Sequence, residues 1–430
     1  MMEKKSRMGI RKITGVCCLL CMLIGTMFAG CKAKSDAEKG NKGQAQADGA
    51  DLEALEKLWG ALSGVSGNSL GDNEEFLEKA DNIKTIIDLY FWQDTEDTDL
   101  YEGMYRGLME SLDDPYSCYY TKEEYAALME EMEGVYCGIG ALVSQNATTN
   151  AITIVRPFVD GPAYKAGMLP GDIITKIDGE DVSAWELDVA VKHMKGEQGT
   201  IVEVEVWRST LGDYVDLTIT RDLVEVETVT YQMLDDSIGY IYVMQFDEIT
   251  TSQFNTALRN LQSQGMKGLI VDIRDNGGGL LTTVCDMLDL FLEKDLIVYT
   301  LDKYNFKEEI HGKAGTVGEF PMAVLVNGYS ASASEIFSGA LQDYGLATIV
   351  GTQTFGKGIV QNVIPLGDGS AVKLTVSTYY TPKGRCIHGT GVTPDVVVEL
   401  DDELKQLAVI PVEQDNQLQT AIEVLKEQMQ

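Results

Sequence analysis

The sequence predicts a multidomain α+β protein, and three changes of pattern along its 430 residues predict it. A helical period dominates the stretch before Gly134, and a period of two replaces it between Gly134 and Asp222. Beyond Asp222 strands alternate with helices, the mark of an α/β core. A chain of this length holds two or three packed domains.

Residues 1–30 carry an address. Lys4, Lys5, Arg7, Arg11 and Lys12 form a basic start, and the run from Ile13 to Ala29 contains no charge. This is the plan of a secretory signal peptide, and the run is too short for a spanning helix. Phe28-Ala29-Gly30-Cys31 resembles the lipobox of bacterial lipoproteins, with Phe28 where leucine is usual. The resemblance implies that Cys31 becomes the mature N-terminus and carries a diacylglyceryl group. Two acyl chains suffice for stable anchoring, here on the outer, extracytoplasmic face of the cell membrane. The competing reading is an uncleaved signal anchor. Residues 31–70 begin with a polar, Gly/Ala/Lys-rich stretch and read as a flexible tether.

Residues 71–133 are expected to be helical. Ile83, Ile86, Ile87 and Tyr90 recur at helical spacing, as do Tyr101, Met104, Tyr105 and Leu108. Asp113-Asp114-Pro115 breaks the chain, and Thr121 with Glu124 fits a capping box that opens another helix.

Residues 134–222 supply short strands at 151–155, 172–177 and 201–207, with one helix at roughly 185–194. Tyr136-Cys-Gly-Ile-Gly140, Gly161-Pro-Ala163, Ala166-Gly-Met168 and Gly171-Asp-Ile-Ile174 resemble the signature of a PDZ domain. Glycines at 138 and 140, flanking Ile139, let backbone N–H groups converge on a peptide carboxylate, and a neighbouring strand edge can accept an extended chain. A small β-domain without ligand is the alternative.

Residues 223–400 form the α/β core. Gly268–Arg274 and Met322–Asn327 are buried-type strands, the second followed by a turn of small residues and a helix at 333–344. The runs 359–365 and 371–379 flank Gly367-Asp-Gly369 as a hairpin, and residues 401–430 make a helical tail.

Composition excludes several functions. With 34 basic against 67 acidic residues the net charge is −33, which repels nucleic acid. Three of the eight cysteines leave with the signal, and Cys31 carries lipid. Cys118, Cys137, Cys285 and Cys386 are scattered without CxxC spacing, so no metal or other cofactor is expected. Gly351–Lys357 approximates a phosphate-binding loop, but Gly358 stands where a Ser or Thr is required, and a strand follows in place of a helix.

A hydrolase needs a nucleophile, a base and an oxyanion site. None of the three histidines, His193, His311 and His388, falls in a pattern that presents it to a serine. Ser330-Ala-Ser-Ala-Ser-Glu335 lies where a strand meets a helix, which exposes N–H groups and a positive dipole end. Lys357 follows in a glycine-flanked loop, with Phe355 and Ile359 as an apolar wall and Gln361 placed to orient an amine. Lysine serves as a base only where burial lowers its pKa toward neutrality.

At these residues the chain resembles the carboxyl-terminal processing peptidases. The shared motifs are Asp272–Gly279, the serine run, Thr354–Gly358 with Gln361, Tyr379–Gly384, Gly391–Asp395 and Leu112–Ser117. The resemblance implies a ClpP- and crotonase-like peptidase core with an inserted PDZ domain and appended C-terminal strands. It implies Ser332 as nucleophile, Lys357 as base, Gln361 as its positioner, and Ala333 and Gly278 N–H groups as the oxyanion hole. Substrates would be proteins or peptides with free C-termini, and self-association is compatible with the plan. A catalytically silent peptide-binding scaffold is the alternative.

Overall fold

The structure is a computed structural model that describes residues 70–430, apart from 96, 314–316, 319 and 408–409. The expected signal peptide, Cys31 and all but the end of the tether lie outside the described residues. Among the described residues no helix is long and apolar enough to cross a membrane.

Chain packing separates two units. One comprises residues up to 125, 300–308 and 360–377, and the other comprises 126–299, 309–359 and 378–430.

In the first unit, helix α1 (Glu74–Tyr90) opens at Asn73, whose side chain accepts the Phe76 N–H at 3.1 Å. Helix α2 (Asp97–Glu110) and strand β1 (Cys118–Tyr120) follow. The capping box at the head of α3 (Lys122–Glu133) is present in both directions. Thr121 N–H donates to Glu124 Oε2 at 2.9 Å, and Glu124 N–H donates to Thr121 Oγ1 at 3.3 Å. Among the described residues nothing buries the apolar stripe of α1: Ile83, Ile86, Leu89 and Tyr90 are all exposed.

The second unit begins inside α3 and contains the PDZ-like domain. Its strands in chain order are β2 (Val135–Gly138), β3 (Ala141–Gln145), β4 (Ile152–Pro157), β5 (Ile173–Ile177), β6 (Glu180–Asp181), β7 (Ile201–Arg208), β8 (Asp213–Thr220) and β9 (Asp222–Glu225). A short helix α4 (Pro162–Lys165) follows β4, and α5 (Leu187–Met194) precedes β7. The main sheet runs β3-β4-β5-β7-β8, with β6 on β5, so β3 is an edge. Inward residues of alternate position, among them Ile152, Ile154, Val202, Val204 and Val206, close its core with Ala190 and Met194 of α5. Strands β2 and β9 pair antiparallel and bring the two ends of the domain together.

Strands β10 (Val229–Met233), β11 (Ile238–Val243), β12 (Gly268–Asp272), β15 (Met322–Val326), β16 (Thr348–Gly351) and β19 (Val396–Val397) build a six-stranded sheet in that spatial order. All its pairings are parallel except β10 with β11. Every residue of β12 and β15 is buried, as expected of parallel strands covered on both faces. Helices α6 (Thr250–Ser263), α7 (Leu281–Leu288) and α8 (Ala333–Tyr344) bring Phe254, Val284 and Phe337 into the interior. The C-terminal helix α9 (Asn416–Gln428) seats Leu418, Ala421 and Leu425 against Ile270, Ala323 and Leu325. At the end of β12, Arg274 reaches both Asp272 (2.6 Å) and Asp415 (2.7 Å), the N-cap of α9. Burial opposes the guanidinium charge, but the two carboxylates outweigh it and hold its pKa above the ordinary value.

The remaining strands are β13 (Leu296–Asp302), β14 (Lys307–His311), β17 (Ile359–Pro365) and β18 (Ala371–Tyr380). Their sheet has the order β1-β18-β13-β14, and β17 pairs with β18 as the expected hairpin.

Candidate active site

Strand β15 ends at Val326, a turn of small residues follows, and α8 starts at Ala333, so Ser332 stands at the joint. Its backbone has φ 55° and ψ −113°. That conformation costs a non-glycine residue about 1–3 kcal/mol and persists only where surrounding bonds hold it. A serine at a strained strand-to-helix turn is the arrangement of a nucleophile elbow, which exposes Oγ at the head of a helix.

The bonds that hold it converge on one buried carboxylate. Glu335, in the first turn of α8, is 0% exposed. Its Oε2 accepts the Ser332 N–H at 2.9 Å and the Lys357 N–H at 2.8 Å. Its Oε1 accepts the Gly356 N–H at 2.7 Å and the Thr354 hydroxyl at 2.6 Å. The Ser332 and Lys357 nitrogens are therefore no farther apart than two hydrogen bonds laid end to end. Tyr379, 1% exposed, donates its hydroxyl to the Ser332 carbonyl at 3.0 Å. Burial first, and the Glu335 charge second, push the Tyr379 phenol well above its usual pKa, so it remains a protonated donor.

Ala333, the first residue of α8, is buried and its N–H falls among those with no partner inside the helix. Gly278 (φ 112°) lies against the same point. A Cβ there would come within 2.9 Å of Ser332 Cβ and 3.1 Å of Ala333 N, so only glycine fits. The Gly278 N–H, expected to serve the oxyanion hole, instead donates to Asn276 Oδ1 at 2.9 Å, so in this structure Ala333 alone of the expected pair keeps an N–H without a helical partner. Gln361 is half-buried on β17 and its Nε2 lies 3.5 Å from Thr375 Oγ1. It belongs to the first unit, while Ser332, Ala333, Gly278 and Lys357 belong to the second. His193 turns to the Val189 carbonyl and packs at a tilt against Trp185, His311 faces Glu309, and His388 is exposed.

In the PDZ-like domain, Gly138 ends β2, Ile139 is buried and Gly140 takes φ 71°. The carbonyls of Ile139 and Gly140 face inward, accepting the N–H groups of Ala163 (2.7 Å) and Phe158 (2.9 Å). The Tyr136 ring folds over Gly138, and Lys195 stands 5.0 Å from the ring centroid while pairing with Glu130 of α3. Burial pushes the Tyr136 phenol up to about 12, against the pull of the Ala141 and Gly140 N–H groups directed at it. Cys118, Cys137, Cys285 and Cys386 are all free thiols.

Sequence reasoning passed over Glu335 and Asn276 as site residues. Both lie in the motifs quoted, at the end of the serine run and in the glycine run, and each has one local partner, Ser332 and Gly278 respectively, but their remaining partners come from distant segments.

Family models match three parts of the chain: peptidase family S41 at residues 237–398, a PDZ domain at 154–208, and the N-terminal domain of the activating protease CtpB at 20–124. A carboxy-terminal-processing protease of Bartonella bacilliformis is 43% identical over 310 residues, spanning 71% of this chain and 70% of that protein. The carboxy-terminal processing protease CtpA of Bacillus subtilis is 36% identical over 346 residues, 80% of this chain and 73% of its own. A crystal structure of an S41 protease from Bacteroides fragilis shares the fold, with a TM-score of 0.50 at 15% identity over 80% of this chain and 97% of that one. The motifs, the strained serine and these relatives lead to one assignment: the chain belongs to the carboxy-terminal processing proteases, PDZ-containing serine peptidases of family S41.

Proposed function

We propose that the protein is a lipid-anchored endopeptidase on the outer face of the cell membrane, which grips substrate C-termini with its PDZ domain and cuts with a Ser332/Lys357 dyad. The observation that carries the dyad is the shared acceptor: Ser332 and Lys357 both hang from Glu335 Oε2 by their main-chain N–H groups. In the proposed reaction the Lys357 amine removes the Ser332 hydroxyl proton as Oγ attacks the scissile carbonyl. The resulting oxyanion faces the Ala333 N–H at the head of α8, where the helix dipole favours negative charge. The lysine ammonium then protonates the departing amine, and water hydrolyses the acyl-enzyme by the same proton path. Gly278 closes the oxyanion site beside Ser332.

On the binding side, the free edge of β3 supports addition of the substrate's last residues as a further strand, with the Gly138–Gly140 turn receiving the carboxylate. The uncovered stripe of α1 supports self-association through that helix. Cys31 with its preceding small residues supports the anchor. The reading is tested with unstructured casein as substrate. Ser332→Ala and Lys357→Ala lower hydrolysis by several orders of magnitude while the thermal midpoint holds, because members of a cooperating nucleophile–base unit fail together. Lys357→Ala activity within tenfold of wild type removes the dyad.

A further inference from the structure

Asn276 is completely buried, and its side-chain oxygen and main-chain carbonyl are placed at the glycine turn and the serine turn. Its side-chain Nδ2 donates to the Val243 carbonyl at the end of β11 (2.9 Å), and its Oδ1 accepts the Gly278 N–H (2.9 Å). Its main-chain carbonyl accepts the Ala331 N–H (3.1 Å) and the Ser334 hydroxyl (2.8 Å). Ala331 precedes Ser332 and Ser334 follows Ala333, so one carbonyl holds both shoulders of the nucleophile. The carboxamide meanwhile fixes the peptide of the glycine that touches Ser332.

The opposite side of the glycine turn is held as well. Phe246 N–H donates to the Gly278 carbonyl at 3.0 Å, and the Leu280 N–H donates to the Phe246 carbonyl at 2.7 Å. Gly278 and Gly279 have no Cβ to set their conformation, with φ 112° and 143°. External bonds must therefore fix their main chain, and Asn276 supplies the one that faces the serine.

We propose that Asn276 is the positioning residue of the oxyanion site, locking the Gly278 peptide and the Ser332 turn into one register. It touches no reacting atom; it acts through Gly278, Ala331 and Ser334. The proposal rests on the Ser332 nucleophile assigned above. Misplacing a catalytic constellation by about 1 Å costs up to about a hundredfold in rate.

The test uses the full chain with a PDZ-compatible peptide substrate and the matching peptide aldehyde, whose hemiacetal with Ser332 mimics the tetrahedral intermediate. Asn276→Ala is expected to lower kcat at least about tenfold, to leave KM within about twofold, and to weaken the aldehyde by the same factor as kcat. Because Asn276→Ala leaves buried groups unmatched and is at risk of misfolding, Ser334→Ala is measured in parallel. It deletes only the Ser334 hydroxyl bond, and it should reproduce the matched loss in kcat and aldehyde affinity on a smaller scale. If kcat falls while the aldehyde binds as before, or if the aldehyde binds more tightly, Asn276 does not position the oxyanion site. Full activity in Ser334→Ala, with Asn276→Ala unfolded, also overturns the proposal. Ser332→Ala separates the two levels: hydrolysis that survives it defeats the nucleophile assignment, whatever Asn276 does.

Discussion

Glu335 illustrates how one side chain can carry a site without reacting. Four donors from two loops end on its two oxygens, and it has no access to water. Glu335→Gln keeps the shape but turns an amide NH2 toward two of those donors, and each buried group left unmatched costs about 1–3 kcal/mol. The expected result is a fall in kcat of tenfold or more with a lowered thermal midpoint, read by steady-state kinetics and calorimetry. A kcat within twofold of wild type would show that the two loops hold themselves. Asp247 is another buried carboxyl, 5% exposed in the loop after β11. Burial pushes it up to about 6, a Gln245 hydrogen bond pulling the other way and Glu131 adding to the rise. A raised carboxyl pKa means the folded state binds the proton more tightly than the unfolded one. Ionised Asp247 therefore destabilises the fold above pH 6, and the penalty fades as pH falls through 6 toward the ordinary value of 3.8. Asp247→Asn should accordingly raise the melting temperature at pH 8 and give no gain at pH 4. A gain that is the same at both values would point to something other than the charge.

At the scale of elements, the turn from β2 into β3 is the part most exposed to competition from its own chain. The Gly140 and Ala141 N–H groups, which the proposed carboxylate cradle would use, pull the Tyr136 phenol down against its burial, so the phenol oxygen competes for them. Tyr136→Phe keeps the ring over Gly138 and removes the oxygen. In the Ser332→Ala background it should tighten binding of a free-acid peptide several-fold by calorimetry; weaker binding would make the hydroxyl part of the cradle. Much of this architecture was legible in the sequence. Helix α8 reads off the sequence at 333–344 because a buried strand, small turn residues and an apolar period follow one another locally. The capping box at Thr121 and the glycine hairpin between β17 and β18 were legible for the same reason: their partners lie a few residues apart. What escaped was long-range. Strand β9 continues past Asp222 to Glu225 because it pairs with β2, some eighty residues earlier. Strand β14 is largely charged and finds its place only beside β13. The positive φ of Ser332 follows from bonds to Glu335 and Tyr379, and no local propensity encodes it.

Within the second unit, the PDZ domain is an insertion whose two ends return to one place, and main-chain bonds lead from that place, through the loop after β11, to the glycine beside Ser332. Val226 N–H donates to the Gly134 carbonyl at 2.8 Å, closing the domain's root. Glu248 N–H donates to the Met132 carbonyl at 3.0 Å, joining the root to the loop after β11. Phe246, two residues earlier in that loop, holds Gly278 and Leu280. A short run of main-chain bonds thus leads from the domain's root to the glycine beside Ser332. The root is also tightly fitted: a Cβ on Gly134 (φ 67°) would meet Ile249 Cγ1 at 2.8 Å and Asp247 Cβ at 3.3 Å. A ligand that favours one setting of the domain would bias the glycine loop through these bonds, because a ligand shifts an equilibrium by its differential affinity. The prediction is that a short, uncleavable peptide acid added in trans raises kcat on an amidated substrate that cannot itself use the carboxylate cradle. Gly134→Val, which forces the root against Ile249, should abolish the stimulation while Ser332 still reacts with a small fluorophosphonate. If the peptide acid leaves kcat unchanged and only competes with free-acid substrates, the domain docks its ligand and sends nothing along the chain.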